Sequence, residues 1–179
     1  MKKSKNIFIR KIRVLIHKLF KKPNVEVQKD FEVLKNFDFL KNIRKKDLKL
    51  FQKQIIKRKF KSGEIIFKEN FPHAVLYLLY KGKVEIYLEQ NGKKQILSYR
   101  KPYSEFGEVG LFIDSKRTAS ARCLQETEMF AISKSDFKSF INSYPMLGIK
   151  ILYNLGVKLS SSLAESNKRL KEYHENKES

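Results

Sequence analysis

Acidic residues, cysteine and histidine are all scarce in this chain. Against 39 lysines and arginines stand only 19 aspartates and glutamates, a formal charge of +20 over 179 residues. Such an excess repels itself in a compact chain and attracts polyanions, either nucleic acid or anionic lipid headgroups. A lysine-rich composition inherited from an AT-rich genome explains the same number, and composition alone does not separate the two. The single cysteine, Cys123, excludes an internal disulfide and any cysteine-based zinc site. Its neighbours alternate as in a strand, which reads as a buried structural thiol. His17, His73 and His174 are far apart and show no ligand spacing, so no metal is expected. A cytoplasmic location fits these scarcities best.

Long apolar runs are missing too. Nothing approaches the roughly 20 residues that span a bilayer. Near the N-terminus Arg10, Lys11 and Arg13 interrupt the apolar run and Lys21-Lys22-Pro23 follows it, which excludes a secretory signal. Residues 1–22 carry no acidic residue. On a helical wheel Phe8, Ile9, Ile12, Leu15, Ile16, Leu19 and Phe20 share one face, with Arg10, Lys11, Lys18 and Lys21 mostly opposite. A basic amphipathic helix over 1–24 is therefore expected. It suits the inner face of an anionic membrane, packing on its own domain or a protein partner, or contact with nucleic acid.

Hydrophobic residues make up 41% of the chain, enough for one domain with a core. Asp30 to Phe39 and Lys46 to Gln54 predict two short helices. From Lys59 the period switches to two. Ile65–Phe67, Val75–Leu79, Val84–Leu88, Gln95–Tyr99, Thr118–Arg122 and Met129–Ile132 read as strands, divided by turns at Ser62-Gly63, Lys81-Gly82 and Asn91-Gly92. Ser133-x-x-Asp136 starts a helix that Tyr144-Pro145 break. A long helix over 147–173 follows, its Leu152, Leu155, Leu159, Leu163 and Leu170 forming a coiled-coil-like seam that fits a homodimer. The expected organisation is a lead-in and antiparallel roll over 25–146, this helix over 147–173, and a charged tail over 174–179. The fold class is mainly β with flanking helices.

One constellation makes this specific. Phe106-Gly107-Glu108-Val109-Gly110-Leu111-Phe112 is followed by Lys116-Arg117-Thr118-Ala119-Ser120-Ala121. It resembles the phosphate-binding cassette of the cyclic-nucleotide-binding domain family, whose usual form is F-G-E-hydrophobic-A-L and then R-[TAS]-A. The resemblance runs from about residue 31 to 172. It takes in Phe60-x-x-Gly63-Glu64-x-Ile66, Leu78-x-x-x-Gly82-x-Val84 and Tyr144-Pro145-x-Leu147. It implies a catabolite-activator-like sensor domain, a jelly-roll of the double-stranded β-helix type, binding cAMP or cGMP as ligand with no cofactor.

The residue types suit that chemistry on their own terms. A cyclic phosphate is a compact monoanion, and a guanidinium fork such as Arg117 can hold it in bidentate fashion. Backbone N–H groups from Gly107 to Leu111 can add donors if that stretch forms a helical turn. Gly107 lets the backbone approach closely. Glu108 offers an acceptor for the ribose 2′-hydroxyl. An internal Glu108–Arg117 salt bridge is the plainer alternative. The resemblance further implies that Val109, Gly110, Leu111 and Ala119 line the ligand, that Thr118 can bond a syn guanine amine, and that Lys158 and Ser162 meet the base. Read plainly, Lys158 and Ser162 are the solvent face of a helix, and Thr118 a strand residue.

Three departures stand out. Gly110 replaces the commoner alanine, the loop Lys68-Glu69-Asn70-Phe71-Pro72 lacks the usual G-[DE] turn, and Tyr99 to Glu105 lacks G-x-G. About six residues follow Tyr173, which leaves no sequence for a recognition helix and argues against sequence-specific DNA binding. No nucleophile-and-base set accompanies the cassette. The expectation is a stand-alone sensor or adaptor that catalyses nothing. A ligand-free scaffold and a nonspecific nucleic-acid binder are its competitors.

Overall fold

The computed structural model describes residues 25–72, 75–90, 92–113 and 116–178. The basic helix expected over 1–24, together with His17, His73 and Asn91, lies outside them. Packing divides the chain into Met1–Asp30 and Phe31–Ser179, and the account below concerns the second unit.

In chain order the elements are α1 (Val25–Leu34), a 3-10 turn (Asp38–Leu40), α2 (Lys45–Gln52), β1 (Ile56–Phe60), β2 (Ile65–Phe67), β3 (Val75–Lys81), β4 (Val84–Gln90), β5 (Lys93–Arg100) and β6 (Ser104–Phe106). Then come α3 (Val109–Phe112), β7 (Ser120–Cys123), β8 (Thr127–Ser133), α4 (Lys134–Ser143) and α5 (Pro145–Glu178). Two antiparallel four-stranded sheets result, ordered β1-β8-β3-β6 and β2-β7-β4-β5. This is the mainly β roll with flanking helices and a long C-terminal helix that the patterning implied.

Alternation decides which side chains enter the roll. Phe60, Leu79, Phe106 and Met129 from one sheet meet Val84, Ala121 and Cys123 from the other in a buried cluster. Cys123 is thus the buried thiol expected, and burial pushes its pKa up. The β4–β5 hairpin turns tightly, with Gln90 opposite Lys93 and Gly92 at φ 71°, the left-handed backbone that a type I′ turn requires. Buried Glu85 ties this sheet together: it accepts from Arg122 Nε at 2.8 Å and pairs with Lys94.

A second core forms where helices cover the first sheet. Seven phenylalanines, at 31, 37, 39, 51, 130, 137 and 140, share it with Leu76, Leu78, Leu147, Ile151 and Leu155. Each such side chain contributes about 1.5–3 kcal/mol on burial, which fixes α4 and the start of α5 to the roll. Ser133 caps α4 as its sequence predicts: Asp136 N–H donates to Ser133 Oγ at 3.0 Å, and Ser133 Oγ–H donates to Asp136 Oδ2 at 2.6 Å.

Several boundaries differ from expectation. The first predicted helix is instead the end of α1 followed by the 3-10 turn. The break at Tyr144-Pro145 falls where expected, with Tyr144 non-helical at φ −135° and ψ 66°, but α5 begins at Pro145 instead of Leu147, because proline is tolerated in the first turn of a helix. Residues 174–178 continue α5 instead of forming a tail. The leucine seam is divided. Leu155 is buried in the domain's own core and Leu152 packs against it, while Leu163 and Leu170 are exposed.

Candidate functional site

The centre of the cassette is a bend followed by one short helical turn. Gly107 sits at φ 82°, a left-handed backbone that side chains rarely adopt. A Cβ there would lie 2.6 Å from Arg117 Nη1 and 2.8 Å from the Val75 carbonyl oxygen. Glycine is therefore demanded twice, by its backbone angle and by the close approach of Arg117. From Glu108 the chain turns into α3, with Leu111 N–H donating to Glu108 O at 2.9 Å. The helical turn that the phosphate reading required is present, and its first-turn N–H groups precede any i→i−4 acceptor.

Arg117 is 4% exposed. Its Nη2 donates to Val75 O at 3.0 Å, and its Cζ lies 3.9 Å from the centroid of the Phe67 ring. Phe67, Tyr77 and Phe106 stack against one another beneath it, with centroids 5.3 to 6.0 Å apart. Nε and Nη1 are buried and have no hydrogen-bond partner. Burial lowers the pKa of the guanidinium, partly offset by Tyr77 and Glu108. The internal salt-bridge alternative does not satisfy these two nitrogens. The backbone of Arg117 is fixed as well: its N–H donates to Phe71 O at 2.8 Å and its carbonyl accepts from Asn70 N–H at 2.9 Å.

That last contact explains one departure in the sequence. Asn70 takes φ 64°, which asparagine tolerates better than most residues, so the loop turns without glycine. Tyr103, in the run lacking G-x-G, likewise adopts φ 67°. Its N–H donates to Leu79 O at 2.7 Å and its ring meets Phe37 edge-on at 6.0 Å. Both turns are held by contacts instead of by glycine.

A cavity of about 110 Å³ opens at Arg117, lined also by Gly107, Glu108, Val109, Thr118 and Ala119. Beside it lies one of about 290 Å³ between β5 and α5, lined by Glu108, Lys158 and Ser162 among others. Glu108 and Arg100 belong to both. Eight of the ten residues singled out in the sequence thus face two adjoining cavities. The other two do not. Gly110 is buried, and Leu111 turns away to pack on the helical core.

Lys158 stands differently from expectation. It is ion-paired with Glu105, which is 6% exposed and whose second oxygen, Oε2, is buried without a partner. Burial raises the pKa of Glu105, and the hydrogen bond and charge of Lys158 oppose that. Sequence reasoning missed Glu105 and also Arg100, whose Nε is buried without a partner. One arginine among 39 basic residues carries no signal of its own. Phe67 was legible only as a strand position.

A buried guanidinium with two unpartnered nitrogens, a glycine-lined bend and a short helical turn meet at one cavity. The sequence model of the family described as cyclic nucleotide-binding domain matches residues 57–144, which include all of them. These residues are a cyclic nucleotide-binding domain.

The chain is 29% identical over 115 residues to the Cyclic AMP receptor protein of Thermus thermophilus, 64% of this chain and 51% of the relative. Over 83 residues it is 34% identical to the cAMP-dependent protein kinase regulatory subunit of Emericella nidulans, 46% of this chain and 20% of that one. A cyclic nucleotide-binding domain from Methylobacillus flagellatus shares its fold, with a TM-score of 0.71 at 18% identity over 80% of this chain and 82% of that chain. The chain spans 51% and 58% of the first curated relatives it matches. Among the described residues no helix is long and apolar enough to cross a membrane.

Proposed function

We propose that this domain senses a cyclic purine nucleotide, cAMP or cGMP, and passes a ligand-driven shift to a partner through α5 without catalysing a reaction. One observation carries the reading: Arg117 Nε and Nη1 are buried, unpartnered and at the smaller cavity. Two fixed donors on a cation match a phosphodiester anion, and charge-assisted hydrogen bonds are the strong kind. The side chains lining that cavity carry two positive charges, Arg100 and Arg117, against one negative, Glu108. The surplus of one suits a monoanion. Glu108, common to both cavities, is the acceptor for the ribose hydroxyl, while Lys158 and Ser162 on α5 cover the larger cavity, where the base would lie.

Leu111 is the route outward. It lies on the phosphate-facing turn α3 itself and packs against the core that contains Phe137, Phe140, Leu147 and Ile151. A nucleotide that draws α3 toward Arg117 therefore acts on the seats of α4 and α5, and binding shifts their population. The outer face of α5 exposes Ile149, Tyr153, Val157, Leu163 and Leu170, which supports a homodimer or partner contact there. The segment 1–22, whose charged residues are all basic, would set the place of action at the cytoplasmic face of an anionic membrane. Liposome flotation with and without 1–22 tests that part, and equal flotation of both removes it.

The deciding experiment is calorimetric titration with cAMP and, separately, cGMP, on the wild-type chain and Arg117→Ala. Micromolar or tighter binding that Arg117→Ala abolishes is the expected result. Binding that survives in the variant overturns the assigned site. No heat and no thermal shift with either nucleotide would leave a scaffold.

A further inference from the structure

Away from the pocket, one sheet edge concentrates positive charge. Residues 53–61 carry five cations, Lys53, Lys57, Arg58, Lys59 and Lys61, and no acidic residue. All five side chains are exposed. Glu128 and Glu64 approach this edge, and both are engaged. The Glu128 carboxylate accepts from Lys81 at 2.9 Å and from the Tyr80 hydroxyl at 3.1 Å, with Lys59 at 3.9 Å. Glu64 accepts from the Lys61 backbone N–H at 2.8 Å. The edge is left with a surplus of positive charge.

Its strand, β1, ends a sheet, and among the described residues β8 alone pairs with it. The other side of such a strand presents outward N–H and C=O groups, a template to which an extended chain can add. We propose that β1 docks an acidic, extended segment of a partner protein, added to the sheet as a further strand. Lysines on an edge ordinarily keep strands apart. They repel a second copy of this basic edge, but opposite charges on facing strands attract. Alternation then separates a strand from other polyanions. It sends Lys57 and Lys59 to one face of the sheet and Arg58 to the other. Lys59 accordingly reaches toward Glu128, whereas Arg58 lies over the Phe60 ring, 5.8 Å from its centroid. A membrane or a nucleic acid laid against one face meets only one of these sets. A strand added in the plane of the sheet projects side chains to both faces and pairs with both sets. β1 has five residues, a span of about 17 Å, so three consecutive acidic residues cover Lys57 to Lys59.

The test uses the full chain and hydrogen–deuterium exchange, read at the amides of residues 53–61, with three peptides of about nine residues. The first has three central glutamates flanked by threonines. The second replaces the glutamates by glutamine. The third keeps the glutamates and replaces the threonines by proline, which removes N–H groups that a ladder needs. The first peptide should slow exchange at 53–61, half-saturating at a concentration at least about tenfold below that of either of the others. Raising salt from about 0.05 to about 0.5 M should weaken it. Equal protection by the proline peptide overturns strand addition and leaves only a polyanion surface. Protection given by a single-stranded DNA of about 20 nucleotides but not by the acidic peptide overturns it too, and assigns the edge to nucleic acid. Protection by the acidic peptide that is absent, or confined to the basic segment 1–22, likewise overturns it. These outcomes depend neither on a variant that folds nor on nucleotide binding.

Discussion

Replacing Arg117 by methionine should abolish nucleotide binding while leaving the ligand-free protein close to its original stability. Methionine keeps an unbranched stem of similar reach, so the packing over Phe67 is largely retained. What goes is the bond to Val75 O, worth about 1.5–3 kcal/mol as a charged hydrogen bond, and the cation–π contact at 3.9 Å, worth about 2 kcal/mol when desolvated. What is relieved is the desolvation of Nε and Nη1, about 1–3 kcal/mol each. The terms nearly cancel, and the net change should stay within about 2 kcal/mol. At about 2–4 °C per kcal/mol for a chain of this size, Tm without ligand should stay within roughly 8 °C of wild type. With nucleotide at 100 times its Kd, wild type should gain about 2.7 kcal/mol, or roughly 5–10 °C, and the variant nothing. Differential scanning calorimetry with and without ligand reads both numbers. A ligand-free Tm more than about 10 °C lower would refute the reasoning. Truncating a paired buried charge costs about 3–5 kcal/mol, and Arg117 would then be a structural brace.

Gly107→Ala should destabilise the fold by about 1–3 kcal/mol and weaken binding, because the added methyl meets Arg117 and Val75 O and the backbone stays at φ 82°. Urea unfolding beside a nucleotide titration checks both effects. Glu105 should make stability depend on pH. Burial raises its pKa in the folded state, so its contribution is complete below the ordinary carboxylate range and is lost as pH rises through the raised value. Melting temperatures of wild type and Glu105→Gln, compared from pH 4 to 8, should diverge upward with wild type falling relative to the variant; parallel curves would show that Glu105 does not titrate in this way. Ile151→Ala should cost about 2–5 kcal/mol, since Ile151 is fully buried where α5 meets the helical core, and its unfolding midpoint reads this directly.

The sequence by itself determined the class of fold and the polarity of the cassette. Period-two alternation from Lys59 onward, the Asn91-Gly92 turn and the Ser133 cap are local signals, and their chemistry acts over a few residues. Gly107, Glu108 and Arg117 were legible because each is a residue type that the proposed phosphate and ribose binding would require. Tertiary structure decided the rest. Only folding shows that Arg100 from β5 reaches both cavities, or that Lys158 on α5 pairs with Glu105 on β6, because these contacts join residues far apart in sequence or without a motif. It also divided the leucine stripe of α5. A 3.6-residue period shows which side chains share a face, but not whether that face meets its own domain or another molecule. Leu152 and Leu155 went to the domain's own core, and Leu163 and Leu170 stayed outside. The +20 charge sets which kinds of partner the chain attracts. Where two guanidinium nitrogens end up buried and unpartnered is a matter of packing, and on that placement the proposed site rests.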